Sequence, residues 1–385
     1  MFRQYKLKDY NIRLLLWLAA LSFLGVLLVT SAEASYRPRQ IMSVLLGAGV
    51  MLVLSFIDYS WILHFMWLIY GVNVGMLALV RIMGHSSHGA TRWIQIGSSF
   101  TFQPVELSKI LLILFFAGYF MKHENDLSRP SVILRALLLI GLPLALIVLQ
   151  PDLKNTLTIG IVFALLYFAA GLSYRIVIPV VVLGAILGTV FMVIVTQPDQ
   201  SLIKGYQKKR IMAFLEPDNP DYTDDTLQQN NSVIAIGSGM MTGKGLNNNN
   251  VSSANKGNFV SQVETDFIFS VAGEELGFVG TAAIILLLLL VVLECLHTGR
   301  RAKDLAGRLI CTGVASIVAI QSFINIGVAT RILPNTGTPL PFISYGPTSE
   351  ISLFIGRGLV LNVGLQNRIR PLKNPYGKVR EKEDA

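Results

Sequence analysis

Residues 281–293 read Thr281-Ala282-Ala283-Ile284-Ile285-Leu286-Leu287-Leu288-Leu289-Leu290-Val291-Val292-Leu293. No side chain in that run is charged, and with its flanks the apolar stretch covers 267–296. A helix needs roughly 20 mostly apolar residues to cross the hydrocarbon of a bilayer, so this stretch reads as a membrane span. The same template places further spans near 12–31, 41–57, 62–83, 104–121, 136–150, 154–172, 176–196, 309–329 and 349–365. Only Gln150-Pro151-Asp152-Leu153-Lys154 separates the spans on either side of it. Backbone in lipid must satisfy its own hydrogen bonds, which leaves helices or a closed barrel. The alternating segments of a barrel are absent. The expected fold is all-α: a polytopic membrane helix bundle of about ten transmembrane helices.

Composition agrees. Apolar residues make up 52% of the chain and charged residues 14%, against roughly 25% charged in an average soluble domain. The net charge of +9 is unevenly spread, with no basic stripe interleaved with aromatics and no nucleic-acid-binding motif. It reads as membrane orientation, and no nucleic-acid partner is expected. Cys295 and Cys311 offer neither a disulfide framework nor metal spacing. The first apolar run is followed by Arg37 and Arg39 without a small-residue cleavage site, so no cleavable signal peptide is expected.

Ten spans put both termini on one side. That side would hold 18 of the 32 Lys and Arg residues, among them Lys122, Arg129, Arg135, Arg175, Arg300, Arg301, Lys303 and Arg308. The short loops of the other side hold Arg37, Arg39, Arg81, Arg92, Lys154 and Arg331. The positive-inside rule then places both termini in the cytoplasm. One membrane domain, 1–385, is expected, with a large extracellular loop at 197–266 and a cytoplasmic tail at 366–385. A loop this long is usually functional or disordered. This one should be ordered near its ends and mobile around the asparagines at 247–250.

Ionisable residues inside spans mark functional sites by default. Glu106 and Lys109 are three apart on one helical face and can pair. Glu274, Glu275 and Arg357 also fall within apolar spans; the plain reading is ion pairs that hold helices together. Asp152 follows Gln150-Pro151 at the outer end of a span, and Asp266 lies in Val263-Glu264-Thr265-Asp266-Phe267-Ile268-Phe269, where polar chain meets apolar span. Either aspartate suits a helix cap. Either also suits a carboxylate at the outer membrane–water boundary that takes a proton from a hydroxyl. Arg92, Arg210 and Arg331 near that boundary suit an anionic headgroup, or simple snorkelling. Gly239-Met240-Met241-Thr242-Gly243-Lys244-Gly245 is a poor phosphate loop: its spacing is wrong and Gly245 stands where Ser or Thr would bind the metal.

Nearly the whole chain resembles the SEDS family (shape, elongation, division and sporulation), which includes RodA, FtsW and SpoVE. The resemblance rests on Gly89-Ala90-Thr91-Arg92-Trp93-Ile94, Phe102-Gln103-Pro104-Val105-Glu106-Leu107-Ser108-Lys109 and Leu149-Gln150-Pro151-Asp152-Leu153. It continues through the stretch from Tyr206 to Pro217, Ala235-Ile236-Gly237-Ser238-Gly239, Thr265-Asp266-Phe267-Ile268-Phe269 with Glu274-Glu275-Leu276-Gly277, Asn325-Ile326-Gly327, and Leu340-Pro341-Phe342-Ile343-Ser344-Tyr345-Gly346. These occur in the family's order. The chain departs from the family pattern at 260–264, at 346–350, at Lys154-Asn155 and in the asparagine run.

The resemblance implies a peptidoglycan glycosyltransferase that polymerises lipid II, a disaccharide-pentapeptide on undecaprenyl pyrophosphate, at the outer face of the bacterial cytoplasmic membrane. It implies a class B penicillin-binding protein as partner and Asp266 as the catalytic residue, a general base toward the acceptor hydroxyl. Arg210, with Arg92 or Lys109 as candidates beside it, would bind the departing pyrophosphate. Asp152 and Glu106 would shape the site, Ser344 would contact substrate, and Glu275 and Arg357 would be structural. A divalent cation, Mg or Mn, could share the charge. The short N-terminus leans toward the RodA type, serving elongation and cell shape. The rivals are a flippase for the same lipid and a non-catalytic scaffold for the penicillin-binding protein; loss of turnover on changing Asp266 separates an enzyme from a scaffold.

Overall fold

The computed structural model describes residues 10–87, 90–96, 100–197, 205–216, 219, 223–247 and 262–366. The tail expected at 366–385 lies outside them, apart from its first residue, as do 260–261 and most of the asparagine run. Ten long helices occupy the ten expected spans: α1 (Ile12–Ala32), α2 (Arg37–Ser55), α4 (Met66–Met83), α5 (Pro104–Lys122), α6 (Pro130–Val148), α7 (Leu153–Ala170), α8 (Tyr174–Val195), α11 (Ile268–Arg300), α12 (Leu305–Ala329) and α13 (Pro347–Gln366). A short α3 (Tyr59–His64) precedes α4, and α9 (Gly205–Leu215) and α10 (Thr223–Ser238) precede α11. Among the described residues, seven helices, α1, α2, α5, α6, α7, α11 and α12, are long and apolar enough to cross a membrane.

Local chemistry sets several boundaries. Asn11 accepts the Leu14 amide at the start of α1, Asp304 accepts the Gly307 amide at the start of α12, and α5 and α6 open on Pro104 and Pro130. Proline is tolerated there because the first helical N–H has no intrahelical acceptor. The segment 84–103, expected as loop, pairs instead as three antiparallel strands: β1 (His85–Ser87), β2 (Ala90–Ile96) and β3 (Phe100–Phe102), in the order β1-β2-β3.

α5 and α12 are buried nearly all round, whereas α2, α4 and α6 expose leucines and valines such as Leu45, Val53, Leu68, Leu134 and Leu138. An apolar exterior suits lipid as the solvent. Phe115, Phe116 and Phe120 of α5 stack on one another and on Phe163 and Tyr167 of α7. α13 lies against α2, with Phe354 filling the space over Gly47 and Gln40 donating to Glu350 at 2.8 Å. The departure from the family pattern at Glu350 therefore forms a buried tie between two helices.

The helices alternate in direction. Asn11 donates to Glu294 and Thr298 near the end of α11, and Lys303 donates to Ser60 and to Gln366 at the end of α13. Tyr59 donates to Asp304 at 2.9 Å in the same region, and burial, with that carboxylate beside it, holds its phenol above its ordinary pKa. Both ends of the described chain thus gather at one end of the bundle. The starts of α5, α7, α11 and α13 gather at the other, together with the C-terminal end of α12.

Candidate functional site

The turn before α11 carries Asp266. Its amide bonds the Gln262 carbonyl, and its own carbonyl accepts Asn325 Nδ2 at 2.8 Å. The same Asn325 amide donates to the Thr338 carbonyl at 2.7 Å. One side chain of α12 therefore staples the Asp266 turn to the segment between α12 and α13. The Tyr345 amide adds a second tie to the Glu264 carbonyl at 2.8 Å. Asp266 does not cap α11: the cap position is Phe267, with no side-chain capping bond. Among the described residues its half-buried carboxylate has no hydrogen bond or ion pair.

Gly337 faces that carboxylate. Its φ is +69°, and a Cβ built there would lie 2.8 Å from Asp266 Oδ2 and 3.6 Å from Arg210 Nη1. Lys154 Nζ donates to the Gly337 carbonyl. A carboxylate, a guanidinium and an ammonium from three distant parts of the chain therefore surround one glycine.

The long loop delivers Arg210. Its described residues form α9 and α10, and α10 covers the end of α12. Gln229 donates to the carbonyls of Val328 and Leu333, and Ser232 to that of Ala329. Val328 and Ala329 lie in the last turn of α12, where carbonyls have no intrahelical partner, and Leu333 lies just beyond it. Thr226 donates to the Ala213 carbonyl, joining α10 to α9. Arg331, one of the boundary cations, is tied to this packing: its Nη1 donates to Asn230 Oδ1 at 2.5 Å.

Asp152 caps α7. Its carboxylate accepts the Asn155 amide at 3.4 Å and Asn155 Nδ2 at 2.8 Å, and it is 1% exposed. Arg92 of β2 reaches it at 4.0 Å and donates to the Pro151 carbonyl. Arg92 and Asp152 thus join the small sheet to the start of α7, from whose first turn Lys154 extends to Gly337. Lys154 was missed as a site residue. Its signal was present, since it is a departure from the family pattern on the outer side.

Glu106 and Lys109 pair at 2.8 Å, 4% and 3% exposed. Lys109 is committed to that carboxylate and borders an apolar cavity between α5, α6 and α7, an interior place that does not suit the expected pyrophosphate contact. Ser344 is buried, and its Oγ accepts the Leu340 amide at 2.8 Å inside the turn before α13. Arg357 is wholly buried, stacked over Phe342 with its Nη1 donating to the Val314 carbonyl. Glu275 accepts the Ser31 hydroxyl, tying α11 to α1.

α11 breaks at Gly277, whose φ/ψ of 66°/−164° is not helical. The segment 239–245 fills the break. Lys244 and Gly245 donate to the carbonyls of Glu274 and Glu275, and the amides of Phe278 and Val279 donate to Met240 and Met241. Lys244 Nζ then pairs with Glu274 at 2.8 Å. The glycine-rich segment is thus a backbone clamp on a broken helix.

Among the described residues no three His, Cys, Asp or Glu side chains come together as a metal cage.

Residues 12–369 match the family of cell cycle proteins typified by FtsW, RodA and SpoVE. The chain is 34% identical to the probable peptidoglycan glycosyltransferase FtsW of Geobacter sulfurreducens, over 95% of this chain and 98% of that one. It is 32% identical to the protein of the same name from Trichlorobacter lovleyi, over 98% of each. Among solved structures, one from a peptidoglycan synthase complex that coordinates polymerization and crosslinking is 27% identical, with a TM-score of 0.78 over 94% of this chain and 99% of that one. The rod shape determining protein RodA of Thermus thermophilus is 26% identical, with a TM-score of 0.68 over 93% of this chain and 98% of that one.

Proposed function

The chain belongs to the FtsW/RodA/SpoVE family, and from that premise we propose that it is a peptidoglycan glycosyltransferase polymerising lipid II at the outer face of the cytoplasmic membrane. The observation that carries the reading is the half-buried Asp266 carboxylate set beside Gly337 with Arg210 and Lys154 around it.

Asp266 takes the proton from the 4-hydroxyl of the acceptor N-acetylglucosamine. That oxygen forms a bond to the anomeric carbon of the donor N-acetylmuramic acid, the bond to pyrophosphate breaks, and a β-1,4 linkage results. Fixed cations stabilise charge as it develops on a leaving group, a role assigned to Arg210 and Lys154. Arg92 and Asp152 act behind them, holding the start of α7 so that Lys154 reaches Gly337. The single membrane domain has its termini in the cytoplasm and α9–α10 outside.

The partner is a class B penicillin-binding protein, which crosslinks the strands; the similarity to a synthase complex that joins polymerization to crosslinking supports this. For the stage of growth, the relatives divide: the curated ones carry the name FtsW and one solved structure is a RodA. The expected elongation role is tested by imaging a fluorescent fusion, which should line the lateral wall; a band confined to midcell would make it a division enzyme.

The test of the reaction is a gel of glycan products from purified protein, lipid II and partner. Asp266→Asn keeps size and loses the base, which typically lowers rate about 10²–10⁴-fold. Parent-like polymer from a folded variant would defeat the assignment of Asp266 as the base; no polymer from the parent protein itself would favour the scaffold reading.

A further inference from the structure

At the end of the bundle opposite Asp266, the start of α4, the end of α5 and the second turn of α6 border an open cavity of about 430 Å³. It is bordered by Trp67, Tyr119, Lys122, His123, Arg135 and Leu138. At 1.5 Å per residue, α5 holds it roughly 28 Å from the Asp266 end, so polymerisation makes no direct use of it.

Three features say what the cavity takes. Lys122 and Arg135 approach from two helices, are exposed, and among the described residues have no hydrogen bond or ion pair. Tyr119 is 3% exposed, yet its hydroxyl has no hydrogen-bond partner among the described residues; a buried hydroxyl without one is costly. His123 Nδ1 donates to the Tyr119 carbonyl at 2.9 Å, which fixes the ring proton there and leaves Nε2 for another group. Lys122 and Arg135 therefore border the space, with the covered Tyr119 hydroxyl just behind its wall. An anion with several acceptor oxygens satisfies the two cations and meets the phenol once the side chains covering it turn aside.

The opposite wall is apolar and faces outward. Trp67 is 53% exposed and Leu138 66% exposed, and Leu138 lies one turn beyond Arg135 on the same face of α6. A ligand that met both walls would carry its anion at the basic end and a hydrocarbon chain along Leu138. Basic pockets between membrane helices on the cytoplasmic side hold anionic lipid headgroups, and Trp sits at the headgroup level.

We propose that this cavity binds the phosphate headgroup of an anionic phospholipid of the cytoplasmic leaflet, with an acyl chain running past Trp67 and Leu138. Arg135 grips the phosphate through paired N–H groups, Lys122 adds a point charge, and Tyr119 donates its hydroxyl. The lipid fastens the junction of three helices on the side away from the reaction.

The experiment measures thermal midpoints of the purified full-length protein in detergent against phosphatidylglycerol, phosphatidylcholine of the same chain length, and inorganic phosphate. Phosphatidylglycerol is expected to raise the midpoint saturably, and the other two to leave it unchanged at equal concentration. Replacing Lys122→Gln and Arg135→Gln together is expected to weaken the response roughly tenfold or more. Both side chains are exposed, so the variant's midpoint without added lipid should match the parent. Tyr119→Phe keeps the ring and is expected to weaken the response several-fold; it decides the matter alone if the double variant proves unstable. An equal response to phosphatidylcholine, an equal response to phosphate (a free-anion site), or parent-like response in the variants overturns the proposal.

Discussion

Asp266 and Arg210 meet across Gly337: a single Cβ there would lie 2.8 Å from the carboxylate and 3.6 Å from the guanidinium. The φ of +69° at that residue is one that only glycine adopts readily. Gly337→Ala should therefore strain the backbone and push a methyl against the carboxylate. The expected result is loss of most glycan polymerisation, with yield and thermal midpoint lowered only modestly because the segment lies at the rim of the bundle. A polymerisation gel beside a melting curve checks it; parent-like turnover would show that the space at Gly337 is not used by the reaction.

The pair of Glu106 and Lys109 is a stability element. Removing one partner of a buried pair leaves an uncompensated charge and typically costs about 3–5 kcal/mol. Lys109→Ala should lower the melting midpoint sharply, whereas Glu106→Gln with Lys109→Met, which removes both charges, should recover much of it. A double variant no more stable than Lys109→Ala would mean that the pair is needed for something other than charge balance.

The break in α11 carries its own expectation. A Cβ at Gly277 would fall 2.3 Å from the Gly243 amide nitrogen and 2.8 Å from the Met241 carbonyl, on a residue whose φ is +66°. Gly277→Ala should expel the clamp at 239–245 and lower the melting midpoint. Restored stability on adding Gly243→Ala would show that the two segments do not meet as described.

The ten spans were legible because hydropathy and length are local quantities that lipid enforces. The pairing of Glu106 with Lys109 was legible for the same reason, as neighbours on one helix turn. What was not legible is closure over distance. Lys154 and Gly337 are 183 residues apart, and Arg331 and Asn230 are 101 apart; nothing in either neighbourhood names the other. The glycine-rich segment at 239–245 was visible as a motif, but its purpose depends on carbonyls freed at Gly277 in another element. The turn staple made by Ser344 was not legible either, because a motif marks a constrained position and a turn staple is constrained as strongly as a substrate contact.

Orientation is open to labelling. Cys295 and Cys311 are both buried, so the parent should label poorly and give a clean background. Met241, whose side chain is 62% exposed within the clamp, is suited to Met241→Cys because its clamp bond is made by the backbone carbonyl. An impermeant maleimide is expected to label that variant in intact cells or spheroplasts; labelling only after lysis would put the loop inside and reverse the orientation.

The cations separate by what holds them. Lys154 and Arg210 stand beside Gly337, at the rim with Asp266, whereas Lys109 is sealed against Glu106. Removing one fixed donor to a developing charge typically lowers turnover about 10²–10³-fold. Lys154→Ala and Arg210→Ala should each show a loss of that order with a melting midpoint close to the parent. Lys109→Ala should show the reverse pattern, a lowered midpoint and a turnover that falls only as folded protein is lost. The measurement is polymer formed per folded molecule, from gels normalised by the monodisperse fraction on size exclusion. Lys154→Met is the stricter variant, because it keeps the length of the side chain and removes only the ammonium. If it polymerises like the parent, Lys154 serves the Gly337 turn as packing and Arg210 alone faces the leaving group. If Lys109→Ala loses turnover with its midpoint intact, the interior pair reaches the reaction after all and the division of cations drawn here is wrong.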